Sequence, residues 1–143
     1  MKIPKQTILY IAWSIALVAM LGSLFFSNVL GFAPCILCWY QRILMYPLVA
    51  ILAVGILKKD TAVWVYVLPL SVIGALVALY HFLLNINVIP EKLAPCTFGV
   101  SCTAKYFNFF GFINIPFLSL LAFISITILM LWYKNTAREG NNL

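Results

Sequence analysis

Charge is missing from four long stretches of this chain, residues 6–41, 43–57, 61–90 and 106–133, and that absence fixes its solvent. A surface facing water needs far more charge than the 8% this chain carries among 65% hydrophobic residues. A helix crosses roughly 30 Å of hydrocarbon with about 20 apolar residues. The stretches accommodate four such spans, near residues 7–27, 35–57, 61–84 and 114–133. None has a polar stripe of helical period, as expected for helices solvated by lipid and by each other. The fold class is therefore an all-α membrane protein, a four-helix bundle, and one such domain uses all 143 residues. Lys2 and Lys5 precede the first apolar run in the manner of a signal peptide. That run is too long for a signal core and no small-x-small cleavage site follows it, so it reads as a retained span.

The formal net charge of +6 raises the possibility of nucleic acid, but its distribution answers differently. Lys2, Lys5, Lys58, Lys59, Lys134 and Arg138 fall on one side of a four-span topology, and Lys92 and Lys105 on the other. Basic residues favour the cytoplasmic side, which places both termini there. No basic cluster interleaved with aromatics on a soluble face is present, so no nucleic-acid partner is expected. The long connection, residues 85–113, is then extracytoplasmic and rich in turn formers. Its aromatic stretch, residues 106–112, reads as an interfacial segment on the bilayer. Pro116 suits the first turn of the last span, and the polar tail after Lys134 reads as disordered.

All four cysteines fall at the extracytoplasmic end, where disulfides are permitted. Cys35 and Cys38 form a CILC motif opening the second span, and Cys96 and Cys102 lie in the long loop. Four cysteines allow three pairings, of which the two local ones are simplest. As staples, loops this small contribute only about 2 kcal/mol. As zinc ligands, the CILC half fits, but the five residues between Cys96 and Cys102 are loose. A membrane metal-binding protein using the cysteine pairs is the alternative function, and a scaffold with inert disulfides is a third. Short-range pairs suit opening and closing better than either. Cys35 at a helix N-terminus is favoured as a thiolate. Cys38 lies three residues on, about 4.5 Å deeper.

Arg42 follows Cys38 by four residues, on the same helical face. An arginine inside a span is costly and is usually functional or paired, unless it snorkels to headgroups. Here it suits a Cys38 thiolate and a lipid-soluble electron acceptor that becomes anionic on reduction, and a quinone has that chemistry. Gln41 offers such a group a hydrogen bond. Trp39 and Tyr40 read equally as walls of that site or as interfacial anchors. His81, the one histidine, sits near the extracytoplasmic end of the third span. It reads equally as a quinone ligand or proton relay and as a headgroup-facing side chain.

The run Cys35-Ile36-Leu37-Cys38-Trp39-Tyr40-Gln41-Arg42, with four spans and a cysteine pair in the second extracytoplasmic loop, resembles the DsbB family of quinone-dependent disulfide-generating enzymes. The stretches CWYQRILMYPL and GFINIPFLSL look like its Gram-positive BdbC branch. The resemblance covers nearly the whole chain. It implies a multi-pass protein of the cell membrane. Cys96 and Cys102 would exchange with a reduced DsbA-like (BdbD-like) extracytoplasmic oxidase, with Cys96 taking the mixed disulfide. Electrons would pass to Cys35 and Cys38 and on to a quinone beside Cys38 and Arg42, menaquinone rather than ubiquinone if the Gram-positive likeness holds. A DsbA-type partner sits near −120 mV, a strong oxidant that thiols alone reoxidise poorly. Two departures stand out. The loop cysteines are closer together than in enterobacterial members, and Gln41 replaces an acidic residue found in some members. A vitamin-K-epoxide-reductase-like enzyme shares the chemistry but has its CxxC late in the chain, opposite to the order here.

Overall fold

A computed structural model describes residues 3–96, 99–103 and 114–141. It contains four long helices: α1 (Lys5–Asn28), α2 (Ile36–Lys58), α3 (Trp64–Asn85) and α4 (Ile115–Asn141). A 3₁₀ turn, Glu91–Leu93, lies in the long connection. All four helices are long and apolar enough to cross a membrane, and no strand occurs among the described residues. The bundle closes as a ring in which α1 and α3 each pack against both α2 and α4. Only 22–33% of each apolar window is buried within the bundle, so the remaining surface is left for lipid. The aromatic segment expected to lie on the bilayer, residues 106–112, falls outside the described residues.

The helix starts differ from expectation by one to three residues, and two of the shifts have a local cause. Cys35 is the N-cap of α2 and not its first residue. Helix α3 begins at Trp64 because residues 61–63 form a turn, with the Asp60 carboxylate accepting from the Ala62 N–H at 2.8 Å. The larger correction is at the C-terminal end. The tail expected to be disordered continues α4 as far as Asn141. Once the span has nucleated the helix, each further turn is inexpensive, and Lys134, Ala137, Arg138 and Glu139 are good helix formers. Tyr133 and Lys134 also fix this end, through a hydrogen bond from the Tyr133 hydroxyl to the Asp60 carbonyl (3.1 Å) and a cation–π contact of Lys134 on Trp64 (4.9 Å).

Lipid tails are as apolar as leucine, so helix association in a bilayer rests on close fit and on hydrogen bonds between helices. Leu48, Leu52, Val67, Phe123, Ile126 and Met130 form the fully buried middle of the bundle. Gly74 of α3 receives the Phe123 ring of α4, and a Cβ there would collide with three ring carbons. Ser71 and Thr127 join the same helices by a 3.0 Å hydrogen bond. Replacing Gly74 by Val should therefore separate α3 from α4 at a cost of about 1–3 kcal/mol. A lowered unfolding midpoint in detergent checks this, and an unchanged midpoint contradicts it. At the other end of the seam, the Asn114 amide donates to Asn85 at 2.6 Å, while its oxygen caps α4 by accepting from the Phe117 N–H at 3.0 Å. This pair holds the start of α4 against the end of α3, beside the cysteines.

Candidate functional site

Pro34 cannot continue a helix backwards, and Cys35 adopts an extended backbone before the first turn of α2. Its side chain then serves as the cap. The Cys38 N–H donates to Cys35 Sγ at 3.4 Å, and the two sulfurs lie 3.1 Å apart as free thiols. Helix N-terminal amides favour negative charge on the capping sulfur. Cys38 is one turn into the helix and half-buried.

His81, in the last turn of α3, is 3% exposed and stands at the centre of the cluster. Its Nδ1 is 3.0 Å from the Gln41 side-chain nitrogen, which is only a donor. Nδ1 therefore accepts, and in the neutral ring the proton sits on Nε2. That Nε2–H faces the carbonyl of Cys102 at 3.2 Å and the sulfur of Cys35 at 3.7 Å. One imidazole thus touches both cysteine-bearing segments, with its tautomer set by Gln41 from α2.

The loop cysteines are joined as Cys96–Cys102, one of the three pairings open to the sequence. Cys102 is 2% exposed and packs with Cys35, Leu37, Leu84 and Ala94. Cys96 is only half-buried. The loop is fastened from outside by the Tyr80 hydroxyl, which donates to the Leu93 carbonyl at 2.8 Å. Ser101 and Thr103, on either side of Cys102, both donate to the Glu91 carboxylate. The bond from Ser101, then that from Thr103, hold the Glu91 carboxyl below its usual range.

Two cavities meet at this end of the bundle. A small one of about 60 Å³ is lined by Cys35, Cys38, His81, Cys102 and Arg42. A larger one of about 510 Å³ lies between α1, α2 and α4, with Cys38, Gln41 and Arg42 at its polar end. Its other walls are apolar or small, among them Val18, Ala19, Gly22, Leu118 and Ala122. Cys38 and Arg42 border both spaces. The Arg42 guanidinium is clamped by α1. Nε donates to the Ser23 hydroxyl and one Nη to the Ser23 carbonyl, each at 2.8 Å, and the group lies 5.6 Å from the Trp39 ring centre.

The expected site residues thus separate into two groups. Cys38, Gln41 and Arg42 border the larger cavity. His81 does not; it lies between the thiol pairs. Trp39 and Tyr40 are exposed and line neither space, which fits their reading as anchors. Sequence reasoning did not single out Ser23 or Glu91. A serine inside an apolar span gives little signal, but Glu91 is one of only three acidic residues in the chain. The metal-binding alternative is not favoured. Two of the four thiols it calls on are spent on the Cys96–Cys102 bond, although Cys35, Cys38 and His81 place three donor atoms within 4.8 Å of one another.

Comparison with known proteins agrees with this chemistry. The model of a family described as "Disulfide bond formation protein DsbB" matches residues 5–133. Disulfide bond formation protein C of Bacillus subtilis (strain 168) is 51% identical over 131 residues, covering 92% of this chain and 95% of its own length. Probable disulfide formation protein C 1 of Bacillus anthracis is 46% identical over 125 residues, covering 87% and 89%. A probable disulfide formation protein of Metapseudomonas resinovorans is also 46% identical over 125 residues, covering 87% of each chain. No solved structure matches the chain significantly.

Proposed function

The chain belongs to the DsbB family and is a disulfide-generating membrane oxidoreductase; from that premise we propose that it reoxidises a DsbA-like extracytoplasmic thiol oxidase, of the BdbD kind, and delivers the electrons to a membrane quinone. The supporting observation is a continuous run of groups from a half-buried loop sulfur, Cys96, through Cys102, His81 and Cys35 to Cys38 at the polar end of an apolar cavity.

The exchange follows from these positions. A partner thiolate attacks Cys96, the more accessible loop sulfur; the Cys96–Cys102 bond breaks and Cys102 leaves as a thiolate. With Cys35 and Cys38 joined, the Cys102 thiolate attacks Cys35, and Cys38 leaves as a thiolate. The partner's second thiolate resolves the mixed disulfide, releasing oxidised partner and the Cys96 thiolate. Cys96 then attacks Cys102, restoring the loop bond and freeing Cys35. Both electrons now rest on Cys35 and Cys38. Each step is a thiolate displacement, so its rate depends on stabilising the leaving sulfur. The Cys38 N–H and the His81 Nε2–H provide that at Cys35, and the Arg42 charge provides it at Cys38.

The larger cavity has a composition that suits a quinone, mostly apolar with Cys38, Gln41 and Arg42 grouped together on α2. Cys38, Gln41 and Arg42 would hold the head group. When bound, the quinone supplies a sink for two electrons and two protons. Menaquinone is the form we propose. The membrane is the cell membrane, with the cysteines on the extracytoplasmic side.

The test is full-length protein with a reduced DsbA-type protein and a soluble quinone analogue. One quinone should be reduced for every two partner thiols lost, and the absence of quinone reduction sinks the proposal. A plug variant sharpens the assignment. A Cβ at Gly22 meets nothing within 4 Å. Gly22→Leu therefore starts a side chain into open space at the cavity wall, and it removes a helix-interior glycine that costs about 0.5–1 kcal/mol relative to Ala. The variant should be at least as stable as the parent, with a quinone KM raised at least about tenfold. An unchanged KM places the quinone elsewhere.

A further inference from the structure

Every turnover in the scheme above opens the Cys96–Cys102 bond, and with it the covalent closure that holds Cys102 against the bundle. A second closure spans the same segment without sulfur. Glu91 accepts hydrogen bonds from the Ser101 and Thr103 hydroxyls, the residues on both sides of Cys102. The Thr103 N–H also donates to Ser101 Oγ at 3.2 Å. The 3₁₀ turn carrying Glu91 is tied to α3 by the Tyr80 hydroxyl on the Leu93 carbonyl. Cys102 itself is tied to α3 by its carbonyl on His81 Nε2. None of these bonds is made by a sulfur atom.

We propose that Glu91 is a positioning residue for electron transfer between the two cysteine pairs, clasping Ser101 and Thr103 so that Cys102 stays aimed at Cys35 while its bond to Cys96 is open. Glu91 touches no reacting atom. It is exposed at the surface while Cys102 is buried, so its effect runs through the backbone it holds. It is an ionised acceptor at neutral pH, as an exposed carboxyl ordinarily is, and its two hydroxyl donors favour the carboxylate further. Hydrogen bonds to a charged acceptor are the stronger class, and two of them converge here.

This rests on the exchange order proposed above, and one experiment separates the two. Full-length protein with both pairs oxidised is mixed with one equivalent of reduced DsbA-type protein, quenched at intervals by acid and alkylated. Mass spectrometry then counts thiols on each pair and mixed disulfide at Cys96. In Glu91→Ala the mixed disulfide should form at the parent rate, and transfer to Cys35–Cys38 should slow about tenfold, so the mixed disulfide accumulates. Glu91→Gln, which keeps an acceptor oxygen, should restore part of the rate. The double variant Ser101→Ala, Thr103→Val should reproduce the Glu91→Ala defect and add little to it, and it serves as the probe if Glu91→Ala does not fold. Transfer at the parent rate in both overturns the clasp and leaves the exchange scheme intact. A parent protein that passes no electrons to Cys35–Cys38 overturns the scheme and the clasp together.

Discussion

Replacing Cys38 by Ala should lower quinone reduction by at least about a thousandfold while leaving the loop pair able to accept electrons once. Cys38 is the sulfur shared by the two cavities, and Cys35 does not border the larger one. Without Cys38, Cys35 cannot form the disulfide that the Cys102 thiolate attacks. Mixed with reduced partner, the variant should consume one equivalent of thiol pairs and stop, with the quinone untouched. Thiol counting beside quinone absorbance distinguishes this from unfolding, which would also abolish the first equivalent. Sustained quinone reduction by the variant would remove Cys38 from the electron route.

Arg42→Ala should raise the quinone KM about 10–100-fold and slow reduction of the bound quinone, with little loss of stability. Two of its nitrogens are fixed by Ser23, so the cation is held beside Cys38 and not free to follow the headgroups. Lysine keeps the charge but lacks the planar fork that grips a hydroxyl and a carbonyl together. Arg42→Lys should therefore recover only a small part of the lost affinity. An arginine that merely snorkels predicts otherwise: the alanine variant would lose stability or insertion and keep its KM. Measuring KM and the unfolding midpoint on the same preparations decides between them.

The architecture was legible because transmembrane helices are marked by missing charge, and this chain concentrates its charges at their ends. Helix α4 ran past its expected end for a reason that hydropathy cannot register. Lys134, Ala137, Arg138 and Glu139 are polar or small, yet they propagate a helix once the span has started it. The two cysteine motifs stood out through local spacing. What joins them did not, because the bridging contacts cross long stretches of chain. His81 meets Cys35 from 46 residues away and Cys102 from 21, and Ser23 meets Arg42 from 19. From the sequence, His81 reads equally as a ligand in the membrane and as a headgroup contact. Only the packing of α2 on α3 puts it against the Cys35 sulfur, with Gln41 setting its tautomer. Ser23 carries no signal of its own, since its value lies in the arginine it grips. Glu91 had rarity in its favour, but its partners stand 10 and 12 residues further on, around a cysteine.

The larger cavity is walled in part by Val18, which is 69% exposed, and by Leu118, which is 46% exposed, so the space reaches the outer flank of the bundle between α1 and α4. Cys96 lies instead at the bundle's end. On the proposed function, a hydrocarbon-dissolved oxidant would therefore enter from the flank of the bundle and a water-borne protein would dock at its end.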